Sequence, residues 1–497
     1  MHSETMVDTL ITNARFVLTM DPKRRLLENA AIAVDDGKIV DIGDSAAIKR
    51  KYRADRVIDA KNYLVTPGLI NGHIHLESAY DKSMLDDVPV VPWCERYFSW
   101  TYMNLTKENY YYAAVKNLIE GLKTGTTTFC DCGTIQTMEE SAAKAVTDVG
   151  VRAVLGRDLM DIHEATKSSY ASYDAFTELC GRLRETTEQC IRRSEEFIKK
   201  YHGAADGRIK AWMDLQQVCN VSPELCKATR ELANKYDSGI LTHAGVSHDM
   251  VEMTRKRFGR RDIEYLYDQG VLGPDFMAAH MAWVDGGELL MLKETNSNVV
   301  HVPGSSMHGV YSAVSMRGKF PIMVKMGINV ALGNDESSTG TAHDLVRDIW
   351  LVSVGHAEAW HPMIFPDPDL FMLRTADPSP KALEMATING AKALKWDKEI
   401  GSLEIGKAAD IVMWNLRKIY WVPVTKENVV NSFVYNGKGD SCDTVMVNGK
   451  IIMEKGVVKT VDEEKIIDKV QKIGEKIIPT APWLKNPEVW ELKWVRE

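Results

Sequence analysis

Between residues 67 and 380 the chain repeats one alternation, a short apolar run followed by a helical stretch. Nothing else in its 497 residues restricts the fold as strongly. The runs read "TTTFCD", "VRAVLGRDL", "IKAWMDL", "GILTHAG", "FMAAHMAW", "NVVHVPG" and "INVALGND". The stretch "RLRETTEQCIRRSEEFIKKYH" mixes charged and apolar positions as an outer helix does. Strands of a parallel sheet are covered on both faces, so they read as continuous apolar runs rather than alternating ones. Repeated βα units of this kind predict an α/β fold, most economically a closed (β/α)8 TIM barrel.

The two ends of the chain follow another rule. Residues 7–66 carry alternating runs such as "TLITNARFVLT" and "AAIAVDDGKIVDIGD", in which "DDGK" marks a hairpin turn. After residue 400 the same pattern returns in "GSLEIGKAADIVMWN" and "DTVMVNGKIIMEKGVVK". The expectation is a composite β-sandwich domain, residues 1–66 supplying one part and 400–461 the other, beside a barrel over 67–399. Residues 462–497 form a tail that begins as an amphipathic helix, with Ile466, Ile467, Val470 and Ile473 on one face. Trp483, Trp490 and Trp494 follow, and their apolar area suits docking, so a homo-oligomer is expected.

Composition narrows the partners. A net charge of −8 argues against a nucleic-acid binder, which normally carries a basic face. No apolar run approaches the roughly 20 residues of a membrane helix, and the first residues lack the basic end and apolar core of a signal peptide. Eight cysteines are too sparse for a disulfide scaffold, and "CDC" at 130–132 has no second pair to complete a zinc site. A cytoplasmic protein with reduced thiols, acting on a small-molecule substrate, is expected.

Chemistry concentrates where the strands end. In "VTPGLINGHIHLESA", His73 and His75 are two residues apart, so on a strand both face the same side. Two neutral imidazoles on one side are half of a zinc-type site, and a pair of satisfied core histidines is the equal alternative. His243 ends "GILTH", His280 ends "FMAAH", His301 sits in "NVVHVPG" and Asp335 ends "VALGND". Active sites of such barrels gather at the C-terminal ends of the strands.

The order HxH, His, His, Asp on successive strands resembles the amidohydrolase superfamily, over about residues 7–460. Within it, "DDVPVVPWCERYFSWTYMNLT" and "VVHVPGSS" are similar to segments of the cytosine deaminase and triazine hydrolase subgroup, with Ser306 where that subgroup has Asn. The resemblance implies that His73, His75, His243 and Asp335 hold one divalent metal ion, zinc first, with iron or manganese as alternatives. Asp335 would act as general base and then acid. His280 would hydrogen-bond the nucleophile or the developing oxyanion. His301 would hold the substrate ring or steer Asp335, and a purely structural hydrogen bond is its equal alternative. Trp93 could stack on a flat substrate, or simply pack. Binuclear relatives carry a lysine at the mouth end of strand four. Here "RIKAWMDLQQV" places Gln216 or Gln217 there and Lys210 near the opposite end, so a single metal is expected.

One position departs from the pattern. The deaminases resembled continue the strand-five histidine as "HxxE", and that glutamate protonates a ring nitrogen. This chain reads "HAGVSHDM", with Val246 in the glutamate's place. His248 reads as an exposed loop residue, and His308 is a candidate proton donor. His163 and His343 read as polar contacts near the rim, His356 and His361 as helix residues. The expected reaction is hydrolytic deamination of an N-heterocyclic amine. Hydrolysis of an amide, urea or carbamate, which needs no ring-nitrogen acid, is the alternative, and a non-catalytic scaffold is disfavoured by the intact ligand set.

Overall fold

A computed structural model describes residues 5–84, 88, 90, 93–94, 97–102, 104–162, 185–308, 319–338, 342–359 and 378–485. Five strands come first: β1 (Thr5–Leu18), β2 (Leu26–Asp35), β3 (Lys38–Asp44), β4 (Tyr52–Asp59) and β5 (Tyr63–Pro67). Eight barrel strands follow: β6 (Leu69–Ile74), β7 (Thr126–Thr134), β8 (Arg152–Leu159), β9 (Ile209–Gln217), β10 (Ile240–Ala244), β11 (Phe276–His280), β12 (Asn298–His301) and β13 (Asn329–Leu332). The last four are β14 (Ile411–Asn415), β15 (Cys442–Val447), β16 (Lys450–Glu454) and β17 (Val457–Val458).

Strands β6 to β13 pair in sequence order, all parallel, as a (β/α)8 barrel requires. The seam between first and last closes just past β13. There the amides of Asn334 and Asp335 donate to the carbonyl of His73 at 3.1 and 2.9 Å, and Ile74 bridges Asp335. The interior is packed, not hollow. Val154, Trp212, Leu241, Met277, Val300 and Ala331 meet inside. The opposite faces of the strands bury against the surrounding helices.

Strands from both chain ends form one nine-stranded mixed sheet, in the order β17-β16-β15-β14-β5-β1-β2-β3, with β4 on β1. The link between the ends is the antiparallel pair of β5 and β14. The sheet rolls up on itself. The β3 edge returns to the segment before β14, where Ile39 N donates to Lys407 O at 2.9 Å and Ala409 N to Gly37 O at 2.8 Å. Ile32 and Val34 thereby share a core with Ile411 and Met413. A buried ion pair ties this sheet to the barrel: Arg152 Nε lies 2.6 Å from Asp410 Oδ2.

The tail helix spans Glu463–Ile477. Ile466 is buried as anticipated, but Ile467 is 51% exposed, because adjacent helix positions point about 100° apart. The helix lies along the helix Lys107–Leu122, and Lys123 Nζ meets Glu463 Oε1 at 2.5 Å. Trp100, in the segment after β6, donates to Thr480 Oγ1 at 3.0 Å. Trp490 and Trp494, like His163 and His361, lie outside the described residues, as does the side chain of Trp483. All seven described cysteines are buried. No helix among the described residues is long and apolar enough to cross a membrane.

Candidate metal centre and active site

His73 lies in β6 and His75 just beyond it, His243 in β10, and Asp335 three residues past β13. Barrel closure brings them together. His73 Nε2 is 3.2 Å from Asp335 Oδ1, His75 Nε2 is 3.4 Å from the same oxygen, and His243 Nε2 is 3.3 Å from His75 Nε2. His280, the last residue of β11, sets Nε2 3.9 Å from Asp335 Oδ2. One ligand atom from each of His73, His75 and His243 lies within 4.8 Å of the others, as is also true of His73, His280 and Asp335.

The backbone is shaped for this convergence. A Cβ on Gly333 would come within 2.8 Å of both Cβ and N of His73, so only glycine lets the last strand approach the first so closely. Asp335 itself holds φ of +70° and His280 +74°, left-handed conformations that are costly for such residues. Asn71 bridges the seam, giving Nδ2 to Asn334 Oδ1 at 2.8 Å and accepting the amides of His73 and Asn334 on Oδ1, each at 3.2 Å. Asn334 Nδ2 in turn donates to Asp348.

The donor set suits a cation. His243 Nδ1 lies 2.8 Å from the carbonyl of Gln216, a contact that only a protonated Nδ1 satisfies, so its Nε2 is a bare lone pair. Glu77 Oε1 sits 3.4 Å from His75 Nδ1 and, against the effect of burial, raises the pKa of that imidazole to about 10. Burial lowers the pKa of His73, and lowers His243 well below its usual value with help from the neighbouring imidazoles. Burial also carries His280 down to about 3. Burial works against the charged form of Asp335 too, but its hydrogen bonds with Glu336 and His73 hold its carboxyl well below the ordinary range. Three imidazoles and one carboxylate gathered at one point are a donor set that a divalent metal takes up, displacing any proton held on their nitrogens.

The chain is similar to known proteins along nearly its whole length. Residues 64–452 match the amidohydrolase family. A 5-methylthioadenosine/S-adenosylhomocysteine deaminase of Thermoanaerobacter pseudethanolicus is 32% identical over 474 residues, covering 95% of this chain and 100% of the relative.

This chain belongs to the amidohydrolase family.

A 5′-deoxyadenosine deaminase of Methanosarcina acetivorans is 31% identical to this amidohydrolase, covering 96% and 100% of the two chains. Among solved structures, an adenosine deaminase from Xanthomonas campestris with bound zinc superposes with a TM-score of 0.81 at 21% identity, covering 96% and 100%. The atrazine chlorohydrolase of Arthrobacter aurescens, complexed with zinc, gives 0.81 at 23%, covering 94% and 100%. The amidohydrolase is therefore a hydrolase of carbon–nitrogen bonds in a metal-dependent family.

Trp93 reaches the strand-eight end, its Nε1 donating to Ser338 Oγ at 3.1 Å. His301, fully buried at the end of β12, stacks on Phe320 at 3.8 Å between centroids and pairs its Nε2 with His356 Nε2 at 3.1 Å. His356 thus sits on a helix as anticipated, but it faces the strand-seven histidine, a contact with no sequence signal. His308 ends a short helix and opens on a neighbouring cavity of about 680 Å³, lined also by Met307, Asp348 and Trp350. His343 is wholly buried rather than at the rim, because the segment containing it folds down over Gly121. His248 starts a helix with its side chain 62% exposed. Lys210 lies at the barrel's far end, donating to the carbonyls of Leu394 and Lys395 at 3.3 and 2.7 Å. Val246 is buried and belongs to the main hydrophobic core.

Sequence reasoning passed over several acidic residues beside the cluster: Glu77, Asp131, Asp158, Asp214 and Glu336, all buried. Asp158 and Asp214 were legible in principle, as charged residues inside apolar strand runs.

Proposed function

We propose that this amidohydrolase hydrolytically deaminates an N-heterocyclic amine, of the adenine-nucleoside type that its relatives are named for, using one divalent metal ion. The convergence of His73, His75, His243 and Asp335 on one point carries the reading. Zinc is the expected ion, with iron or manganese as alternatives. Held by these four residues, the metal would acidify water so that it attacks carbon near neutral pH.

The chain's own residues do the rest. Asp335 Oδ2 accepts a proton from the attacking water and passes it to the departing nitrogen, a base and then an acid. His280, neutral under its burial, offers Nε2 beside the same carboxylate to orient the water. Trp93, tethered to Ser338, walls the mouth against a planar base and keeps bulk water out. His301 lines the site from β12, oriented by His356. His308 has less support as a proton donor, since the described lining of its cavity includes none of the four ligands.

Hydrolysis of an amide, urea or carbamate is the second reading, favoured by Val246, since that chemistry needs no ring-nitrogen acid. Ammonia release from adenosine, 5′-deoxyadenosine and 5′-methylthioadenosine by zinc-loaded protein tests the first reading. No release from these, together with hydrolysis of aryl amides, would decide for the second.

A further inference from the structure

We propose that Asp158 on β8, backed by Asp214 on β9, is the acid that protonates the substrate's ring nitrogen, the task Val246 cannot perform. The proposal rests on the deaminase reading above.

Strand alternation sets the direction of both side chains. Val154 and Trp212 belong to the barrel interior with Leu241 and Met277, so Asp158, four residues after Val154, and Asp214, two after Trp212, face inward as well. Arg157 takes the opposite face, where it pairs with Glu139 and Glu185. Asp158 is the penultimate residue of β8, as His243 is of β10, and so it stands at the mouth end where the histidines are. Asp158 and Asp214 are register partners on adjacent parallel strands, which run about 4.8 Å apart. Gly156 makes the room: a Cβ there would lie 2.5 Å from Leu241 Cδ1 and 3.4 Å from Asp214 Cβ.

Neither carboxyl has a structural employment. Both oxygens of Asp158 and both of Asp214 are buried without a hydrogen-bond partner among the described residues. A third group belongs to the same wall. Gln136, 3% exposed, gives Nε2 to the Asp158 carbonyl at 3.1 Å and leaves its own Oε1 without a partner. Buried polar groups are nearly always satisfied, so a group of unsatisfied ones at the end of a barrel strand points to a ligand.

The protonation state fits an acid. Burial, then the charges of Asp214 and Glu77, raise the Asp158 carboxyl well above its ordinary value, against the opposing effects of Arg157 and His75. Burial raises Asp214 to about 8, with Asp131 and Glu77 adding to it and His75 opposing.

Water adds its oxygen to the amine-bearing carbon while Asp158 gives its proton to the adjacent ring nitrogen. The carboxylate so formed shares the proton of Asp214. One proton of the water passes through Asp335 to the amino group, which leaves as ammonia. The second, released as the carbonyl forms, restores the acid pair. The product keeps the proton of Asp158 on its ring nitrogen.

The test compares zinc-loaded wild type with Asp158→Asn and Asp214→Asn, reading melting temperature, metal content, and kcat and KM for 5′-deoxyadenosine. An amide keeps the shape but cannot deliver a proton. Asp158→Asn should lower kcat at least about a hundredfold with KM changed little, and Asp214→Asn about tenfold. Metal content should hold, and melting temperature should stay level or rise, because an unpartnered buried carboxyl costs stability that its amide recovers in part. Wild-type kcat within about threefold in both variants overturns the proposal while leaving the deaminase reading intact. A fall in melting temperature with loss of metal also overturns it, since that shows a structural role. A wild type that deaminates none of the three nucleosides named above defeats the deaminase reading and this proposal with it.

Discussion

Nε2 of His75 and Nε2 of His243 face each other across 3.3 Å, each ring anchored through its other nitrogen, one beside Glu77 and one on the Gln216 carbonyl. Two ring nitrogens set so close share a proton or a cation between them, and a divalent metal displaces the proton. Chelation should therefore abolish activity and lower the melting temperature together, and about one equivalent of zinc should restore both. Metal analysis giving two ions per chain would defeat the single-metal assignment.

Asp335→Asn separates proton transfer from architecture. Asparagine tolerates the left-handed backbone that Asp335 adopts at φ of +70°, so the variant should fold. Without a carboxylate, turnover should drop by about two to four orders of magnitude while the three histidines retain metal. Wild-type turnover at matched metal content would remove the chemistry from strand eight.

Gly333→Ala probes the seam of the barrel. Its methyl group would press on His73 at 2.8 Å. Overpacking of this kind costs about 1–3 kcal/mol, and His73, a proposed ligand, is the residue displaced. Metal affinity should fall along with melting temperature, read by competition with a chelating dye. A variant with unchanged affinity would show that the strands approach less tightly.

Val246→Glu asks whether the family's usual acid can be restored. Val246 is 5% exposed and packs in the main core. A carboxylate there is desolvated and lies near the ligand cluster, so stability and native turnover should both decline. Faster turnover of 5′-deoxyadenosine would show that the position still belongs to the mechanism.

Lys210 supplies a pH signature. Burial lowers its pKa to about 8. Between that value and its unfolded value the unfolded chain binds more protons, so this residue makes stability rise as pH climbs through that window. Replacing it with methionine should flatten the rise in melting temperature between pH 8 and 10. An identical slope would assign the effect elsewhere.

Much of this was readable from residue order. The βα alternation led to the barrel because parallel strands must be apolar on both faces, and His73, His75, His243, His280 and Asp335 stood out as polar endings on apolar runs. The return of alternating patterns near both termini led to the shared sheet. What stayed hidden depends on distant pairs. The contact of His356 with His301 needs a helix and a strand that sequence cannot dock. Asp158 and Asp214 show as carboxyls inside apolar runs, but the runs alone do not tell whether they face a helix or the barrel interior. Ile467 misled because, about 100° round the helix from Ile466, it falls on the side turned away from the protein.

The pairing of β5 with β14 sets an order of events during synthesis. Trp414 Nε1 donates to Thr66 Oγ1 at 2.9 Å, across 348 residues of chain. At ribosomal rates of about 5–20 residues per second, β5 waits on the order of 20–70 s for its partner. Over that interval β1, β2 and β5 expose an apolar face and an open edge, which invites pairing with a neighbouring nascent chain. The barrel, whose strands pair in order of emergence, meets no such delay until its last strand. Yield in cells should therefore depend on chaperone supply and translation speed more than on the stability of the finished enzyme.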